Sequence, residues 1–262
     1  MGEWQNMILD NLHTYDHYGY ALMAVLGTFF AVGVIGWWMQ RSPWAGWIRS
    51  LHGVAPPFIN IIGVLFGLTL AFLANDTWSA HDRAMNAVYK EADALRSLMV
   101  LTGNLEEPLQ RKLHAALADY AQASASEWSL LGQREVSLEV GKQGDALLGL
   151  LSSRAIANAA GENVQALMLD KVTDLRDKRD LRIALSQTHI NPLKWLGMAF
   201  LGLMTLLSVA VVHAENSRAA FVAIMLFALA AAPTAAIVLV QGNPFQQPSS
   251  VSPAPIVAAV KG

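Results

Sequence analysis

The stretch Asn60–Trp78, NIIGVLFGLTLAFLANDTW, decides how this chain is read. Asn60 opens it, Asn75 and Asp76 close it, and the residues between are almost wholly apolar. Taken from Pro57 to Ala74, the run is long enough to cross a hydrocarbon core of ~30 Å at ~1.5 Å per helical residue. Three further runs match it, at residues 19–39, 193–212 and 219–240. None contains an acidic residue, and the one base is Lys194, at the very start of the third. A buried soluble helix could account for any single run, but four in one chain point to a membrane. The overall composition agrees. The 262 residues are 54% hydrophobic and only 15% charged, against about a quarter charged in an ordinary soluble domain.

The expected organisation is an all-α membrane protein. Four transmembrane helices carry a long helical extramembrane domain inserted between the second and third. Residues 1–74 hold the first helix pair, 75–192 the extramembrane domain, 193–240 the second pair, and 241–262 an irregular Pro- and Ser-rich tail. The first run is not read as a cleaved signal. The N-terminus, MGEWQNMILDNLHTYD, lacks Lys and Arg and carries Glu3, Asp10 and Asp16. The chain has no cysteine, so thiolate metal sites, thiol nucleophiles and disulfides are excluded. A net charge of −2 with no basic face gives no reason to expect nucleic acid.

The middle segment reads as helices. Ala84, Val88, Ala92, Leu95 and Met99 recur at helical spacing over 79–102. TGNLEEP at 102–108 interrupts, with Gly103 suited to end one helix and Asn104 and Glu106-Glu107 to begin another. Further helices are expected over 105–131, 144–158 and from Gly161 towards Asn191-Pro192. Lys and Arg are richer on the side of the middle segment (Arg83, Lys90, Lys178, Arg179, Arg182, Lys194 and Lys261) than opposite (Arg41, Arg49 and Arg218). By the positive-inside rule, 75–192 is expected to be cytoplasmic. Trp37, Trp38, Trp44 and Trp47 suit one interface, Trp78 and Trp195 the other.

The second span holds the candidate functional residues. Phe58, Ile62, Leu65, Thr69, Phe72 and Asp76 share one helical face, large and apolar between polar ends. The adjacent face carries Asn60, Val64, Gly67, Ala71 and Asn75. Gly63 and Gly67 form a G-x-x-x-G pair that favours close helix approach in lipid, within one subunit or between subunits. A pore lined by Asn60, Ile62, Leu65, Thr69, Phe72, Asn75 and Asp76 would have polar mouths and a narrow apolar neck able to gate by dewetting. The plainer alternative for Asn75 and Asp76 is that they mark where the helix leaves the bilayer. No ionisable residue lies deep in any span, which argues against a proton-coupled pump or a voltage sensor and leaves a passive channel open. Pro233 should kink the fourth span.

Other charged groups read more simply. His13 and His17 have the i,i+4 spacing of metal ligands, but one pair supplies only part of a coordination shell, and HTYDHYGY suits an interfacial entry helix. Asp170, Asp174, Asp177 and Asp180 alternate with Lys171, Arg176, Lys178, Arg179 and Arg182, as on a self-neutralised solvated helix face. No phosphate-binding glycine loop, H-E-x-x-H or G-x-S-x-G occurs, so an enzyme, a cofactor or a bound metal is not expected.

GVLFGLTLAFLANDTW, EADALRSL at 91–98, ADYAQASASEW at 118–128 and NPF…VSP at 243–253 together resemble the bestrophin-like domain family of bacterial membrane proteins. The resemblance extends over most of residues 50–255. It implies a pentameric anion channel with four spans, a large cytosolic helical portion after the second span, and a neck formed by that span. The nearest analogues of the bulky neck residues are Ile62, Leu65, Phe66 and Phe72. The acidic calcium clasp of animal bestrophins has no match here. The function expected is therefore a homo-oligomeric, bestrophin-like passive ion channel in a lipid bilayer, taking inorganic anions before cations. The alternative is a non-conducting membrane scaffold or sensor whose extramembrane helices bind a partner.

Overall fold

A computed structural model describes residues 16–41, 43, 46, 55–188 and 191–261. Ten helices and no strand occur among the described residues: α1 Asp16–Arg41, α2 Ala55–Thr102, α3 Glu107–Ser126, α4 Trp128–Gly132, α5 Leu138–Leu151, α6 Arg154–Ala160, α7 Glu162–Ser186, α8 Pro192–Val212, α9 Ser217–Val240 and α10 Ala254–Ala259. Four helices are long and apolar enough to cross a membrane: α1, α2, α8 and α9. Trp44 and Trp47, with most of the first connection, lie outside the described residues, as does His13.

The helix that carries the second span does not stop at Asn75-Asp76. α2 continues unbroken for 48 residues. No Gly or Pro lies between Leu68 and Thr102 to stop it. The Thr77 hydroxyl donates to the Leu73 carbonyl, 3.0 Å away, within the same turn pattern. The end comes at Gly103, whose N–H reaches the carbonyls of Met99 and Val100. Downstream, the expected helix over 105–131 is two, α3 and α4. The one expected over 144–158 is also two, α5 and α6, and it begins earlier, at Leu138.

The chain divides into two compact units. Unit 1 comprises 1–78 and 189–242, and unit 2 comprises 79–188 and 243–262. In unit 1, Val32 and Ile35 of α1 meet Leu206 and Ala210 of α8 and Ala220, Ile224 and Ala228 of α9. A second cluster joins Phe66, Leu73 and Ala74 of α2 to Met198 of α8 and Ala235 and Val238 of α9. Many contributors are alanines, which let helix backbones approach closely. Both later spans are capped by side chains. Asn191 accepts from the N–H groups of Leu193 and Lys194, and Asn216 from those of Arg218 and Ala219. Pro233 lies inside α9, which runs on to Val240.

Unit 2 has a broader core, built from Val88, Ala92, Leu95 and Leu98 of α2, Leu113 and Leu117 of α3, Leu147 and Leu151 of α5, and Met168, Val172 and Leu175 of α7. The segment expected to be an irregular tail contributes to it. Phe245, Val251, Ile256 and Ala259 are buried there, and α10 is helical. Composition hid this, because Pro and Ser punctuate the segment while its few apolar side chains do the packing.

Candidate functional site

The candidate pore residues lie on α2 within unit 1, and the structure separates them by exposure. Asn60, Leu65, Phe72, Asn75 and Asp76 are exposed, whereas Ile62 and Thr69 are half-buried. The exposed arc is therefore rotated from the face expected. It is built on Phe58, Ile61, Val64, Leu65, Leu68 and Phe72, with Phe72 68% exposed. Phe66, an expected neck analogue, faces the other way. It is 8% exposed and packs against Phe227, with ring centroids 5.4 Å apart. The cause is a close seat on α8, where Gly202 leaves room for the ring: a Cβ there would lie 3.2 Å from Phe66.

Gly63 and Gly67 behave differently from Gly202. A Cβ built on either meets no atom within 4 Å. The pair therefore makes no close helix contact inside the subunit. At the end of the arc, Asp76 is held by Lys194, Nζ to Oδ2 at 2.8 Å, in an exposed ion pair. The Trp78 indole N–H donates to Gln241 at 3.0 Å, tying α2 to the end of α9.

A second constellation lies in unit 2. Arg182 is 0% exposed and donates to both oxygens of Glu91, at 2.6 and 3.0 Å. It also donates to the Ser124 hydroxyl at 2.7 Å. The Tyr120 phenol and the Ser124 hydroxyl both donate to Glu91 Oε1. Arg179 grips Glu127 through Nη2 at 2.6 Å and Nε at 3.2 Å, and donates to the Ser137 carbonyl at 2.8 Å. Arg182 lies over the Trp128 ring, 4.6 Å from its centroid. Its Nη1 has no hydrogen-bond partner, so the ring face supplies what a partner does not. Burial first, and then the Glu91 carboxylate, push the Tyr120 phenol well above its usual range and keep it a donor. The expectation of a solvated face thus fails for Arg179 and Arg182, while Asp174, Asp177 and Lys178 do follow it or lie partly exposed. α7 turns its two arginines inward because buried carboxylates on α2 and before α4 await them.

Sequence reasoning missed this network, although the signal was present. EADALRSL supplies Glu91, and ADYAQASASEW supplies Tyr120, Ser124, Glu127 and Trp128. NPF…VSP supplies Asn243, whose amide donates to the carbonyls of Leu131 and Gly132, and Phe245, which meets Trp128 edge-on at 5.6 Å. Val251 accepts the Trp128 indole N–H at 2.6 Å. Three separated motifs thus meet at one place. His17 is buried in unit 1. Among the described residues no group of three or more His, Asp or Glu is arranged to hold a metal ion.

Four helices long and apolar enough to cross a membrane, with large apolar side chains on their outer faces, are those of a helical integral membrane protein. The chain belongs to the Bestrophin-like domain family, whose model matches residues 27–256. Its fold is similar to that of a bacterial bestrophin homologue from Klebsiella pneumoniae, solved in several variant forms. A tryptophan-to-alanine variant aligns with a TM-score of 0.64 at 12% identity, covering 94% of each chain. A tyrosine-to-alanine variant aligns at 0.63 and 14%, covering 92% of this chain and 94% of that one. No curated protein matches.

Proposed function

We propose that copies of this chain assemble into a ring, a pentamer by resemblance, around a passive ion pathway lined by α2. Residues 75–192 form a cytoplasmic helical domain, and the spans sit in a bacterial inner membrane. The observation that carries the reading is the unpartnered face of α2. Large apolar side chains from Phe58 to Phe72 stand exposed beside two glycines that meet nothing within the subunit. In lipid, small residues with open space favour a neighbouring helix, and a ring of such helices leaves bulky side chains to narrow the lumen. Leu65 and Phe72 form the neck, with Ile62 and Thr69 at its edge. Asn60 forms one mouth, and Asn75 and Asp76 the other.

Anions are preferred because the acidic mouth is neutralised. A ring of bare Asp76 carboxylates would attract cations, but each carries the ammonium of Lys194 at 2.8 Å. Purified protein in liposomes tests the reading. Chloride flux above that of empty vesicles is expected, and Phe72→Ala and Leu65→Ala should change it. Flux equal to that of empty vesicles, unmoved by both substitutions, overturns it and leaves the membrane scaffold that binds a partner through its extramembrane helices.

A further inference from the structure

Unit 1 contains an apolar cavity of about 640 Å³ that the proposed pathway does not use. It lies between α1 and α8, with Phe66 and Phe227 as its floor. Its side walls are small: Gly27 and Ala31 on α1, Ala199 and Gly202 on α8. Met23, Leu196 and Leu203 stand exposed along its rim, so the cavity opens sideways onto the apolar outer surface of the spans. Of the two hydroxyls in its wall, that of Tyr20 lies at one end, and that of Thr28, further in, already donates to the Ala24 carbonyl at 2.7 Å. The interior therefore asks for no polar partner.

Its length is informative. On α1 it runs from Tyr20 to Ala31, and on α8 from Pro192, one turn before Trp195, to Leu206. From Tyr20 and from Trp195 inward, each interval rises roughly 16 Å along its helix, close to half of a ~30 Å hydrocarbon core. The groove thus starts at the aromatic residues of one membrane boundary, where Tyr and Trp sit at headgroup level, and stops near the midplane. Lys194 adjoins Trp195 at that boundary. Its ammonium has three donors, and the Asp76 carboxylate takes one.

We propose that this groove holds one acyl chain of a phospholipid from a single leaflet, with the phosphate at Lys194. The groove is continuous with the surface that lipid already covers, its length matches one leaflet, and its boundary end carries a cation for an anionic headgroup. Occupancy by acyl chain also replaces the dispersion contacts that small walls forgo.

The test uses full-length protein in vesicles containing a phospholipid with a photoactivatable diazirine midway along one chain. After irradiation, mass spectrometry maps the labelled peptides. Labelling is expected to concentrate on the α1 peptide around Gly27 and the α8 peptide around Leu203. Gly27→Phe places a ring into the groove from a site where a Cβ meets nothing within 4 Å, and should lower that labelling at least fivefold. Lys194→Gln should lower it about two- to threefold. Size exclusion confirms that both variants stay assembled. Even labelling over all four spans, or labelling unchanged by Gly27→Phe, overturns the proposal. So do disulfide-linked copies formed between Met23→Cys and Leu203→Cys proteins, because a second copy then covers the groove. None of these readouts depends on ion flux, so failure here is distinct from failure of the channel reading.

Discussion

The two units solve opposite packing problems. Unit 1 buries little and exposes much that is apolar: only 17–33% of each span's most apolar window is buried. Leu22, Leu26 and Phe30 of α1 and Leu226 and Leu229 of α9 face outward. Unit 2 buries its leucines and, among them, two arginines and two glutamates. In water the first surface would be an aggregation hazard, whereas in lipid it is the ordinary solvent-facing side. The comparison teaches that the two units suit different solvents. Where water is outside, burial stabilises and polar groups can be taken in if paired. Where hydrocarbon is outside, contact depends on shape, small residues and capped helix ends.

The largest expected effect concerns the charge network. Arg182→Met leaves Glu91 buried without its ionic partner, and loss of one partner of a buried pair costs about 3–5 kcal/mol. Thermal unfolding of the solubilised protein should drop sharply, and Arg182→Met combined with Glu91→Leu should recover much of the loss. A single variant as stable as the parent would break the claim that the buried charges organise unit 2.

Next comes a paired substitution that sharpens the contrast of solvents. Leu113 in unit 2 and Leu206 in unit 1 are both buried. Leu113→Ala should cost about 2–5 kcal/mol, as in a water-excluding core. Leu206→Ala should cost clearly less, because lipid is as apolar as the site it leaves. Equal costs would mean that water surrounds both units.

Trp128→Phe removes the 2.6 Å bond to the Val251 carbonyl and leaves that oxygen only the Ser250 hydroxyl at 3.2 Å, a loss of about 0.5–1.5 kcal/mol. Limited proteolysis should then cleave first within 243–262, the segment that this bond anchors. Tyr120→Phe is milder at neutral pH and shows itself in alkali. Its phenol is raised in the folded state, so the stability it contributes is complete below the unfolded value, about 10, and is lost as pH rises through the folded one. Unfolding followed from pH 8 to 11 should show a shallower alkaline decline for Tyr120→Phe than for the parent.

The smallest effect on stability belongs to Phe72→Ala, expected below about 1 kcal/mol because the ring is 68% exposed within the subunit. Its effect should appear in vesicle flux instead. Lys194→Gln should likewise spare stability, since exposed ion pairs contribute about 0–1 kcal/mol, while shifting the reversal potential towards cations by baring Asp76.

The sequence by itself determined that the protein is helical and that four segments suit hydrocarbon, because length and the absence of charge are local properties of a run. It also placed helix ends at Gly103 and Asn191, where capping chemistry lies within a few residues. Only the tertiary structure decided which side of α2 stays bare, that Phe66 turns inward, and that Arg179 and Arg182 leave solvent. Each depends on what stands opposite: Gly202 for the ring, and Glu127 and Glu91 for the guanidinium groups. Periodicity places a residue on a face of its own helix, but the partner comes from another part of the chain, 52 residues away for Arg179 and 91 for Arg182. A charge is read as solvated until its counter-charge is found beside it in the same dry interior.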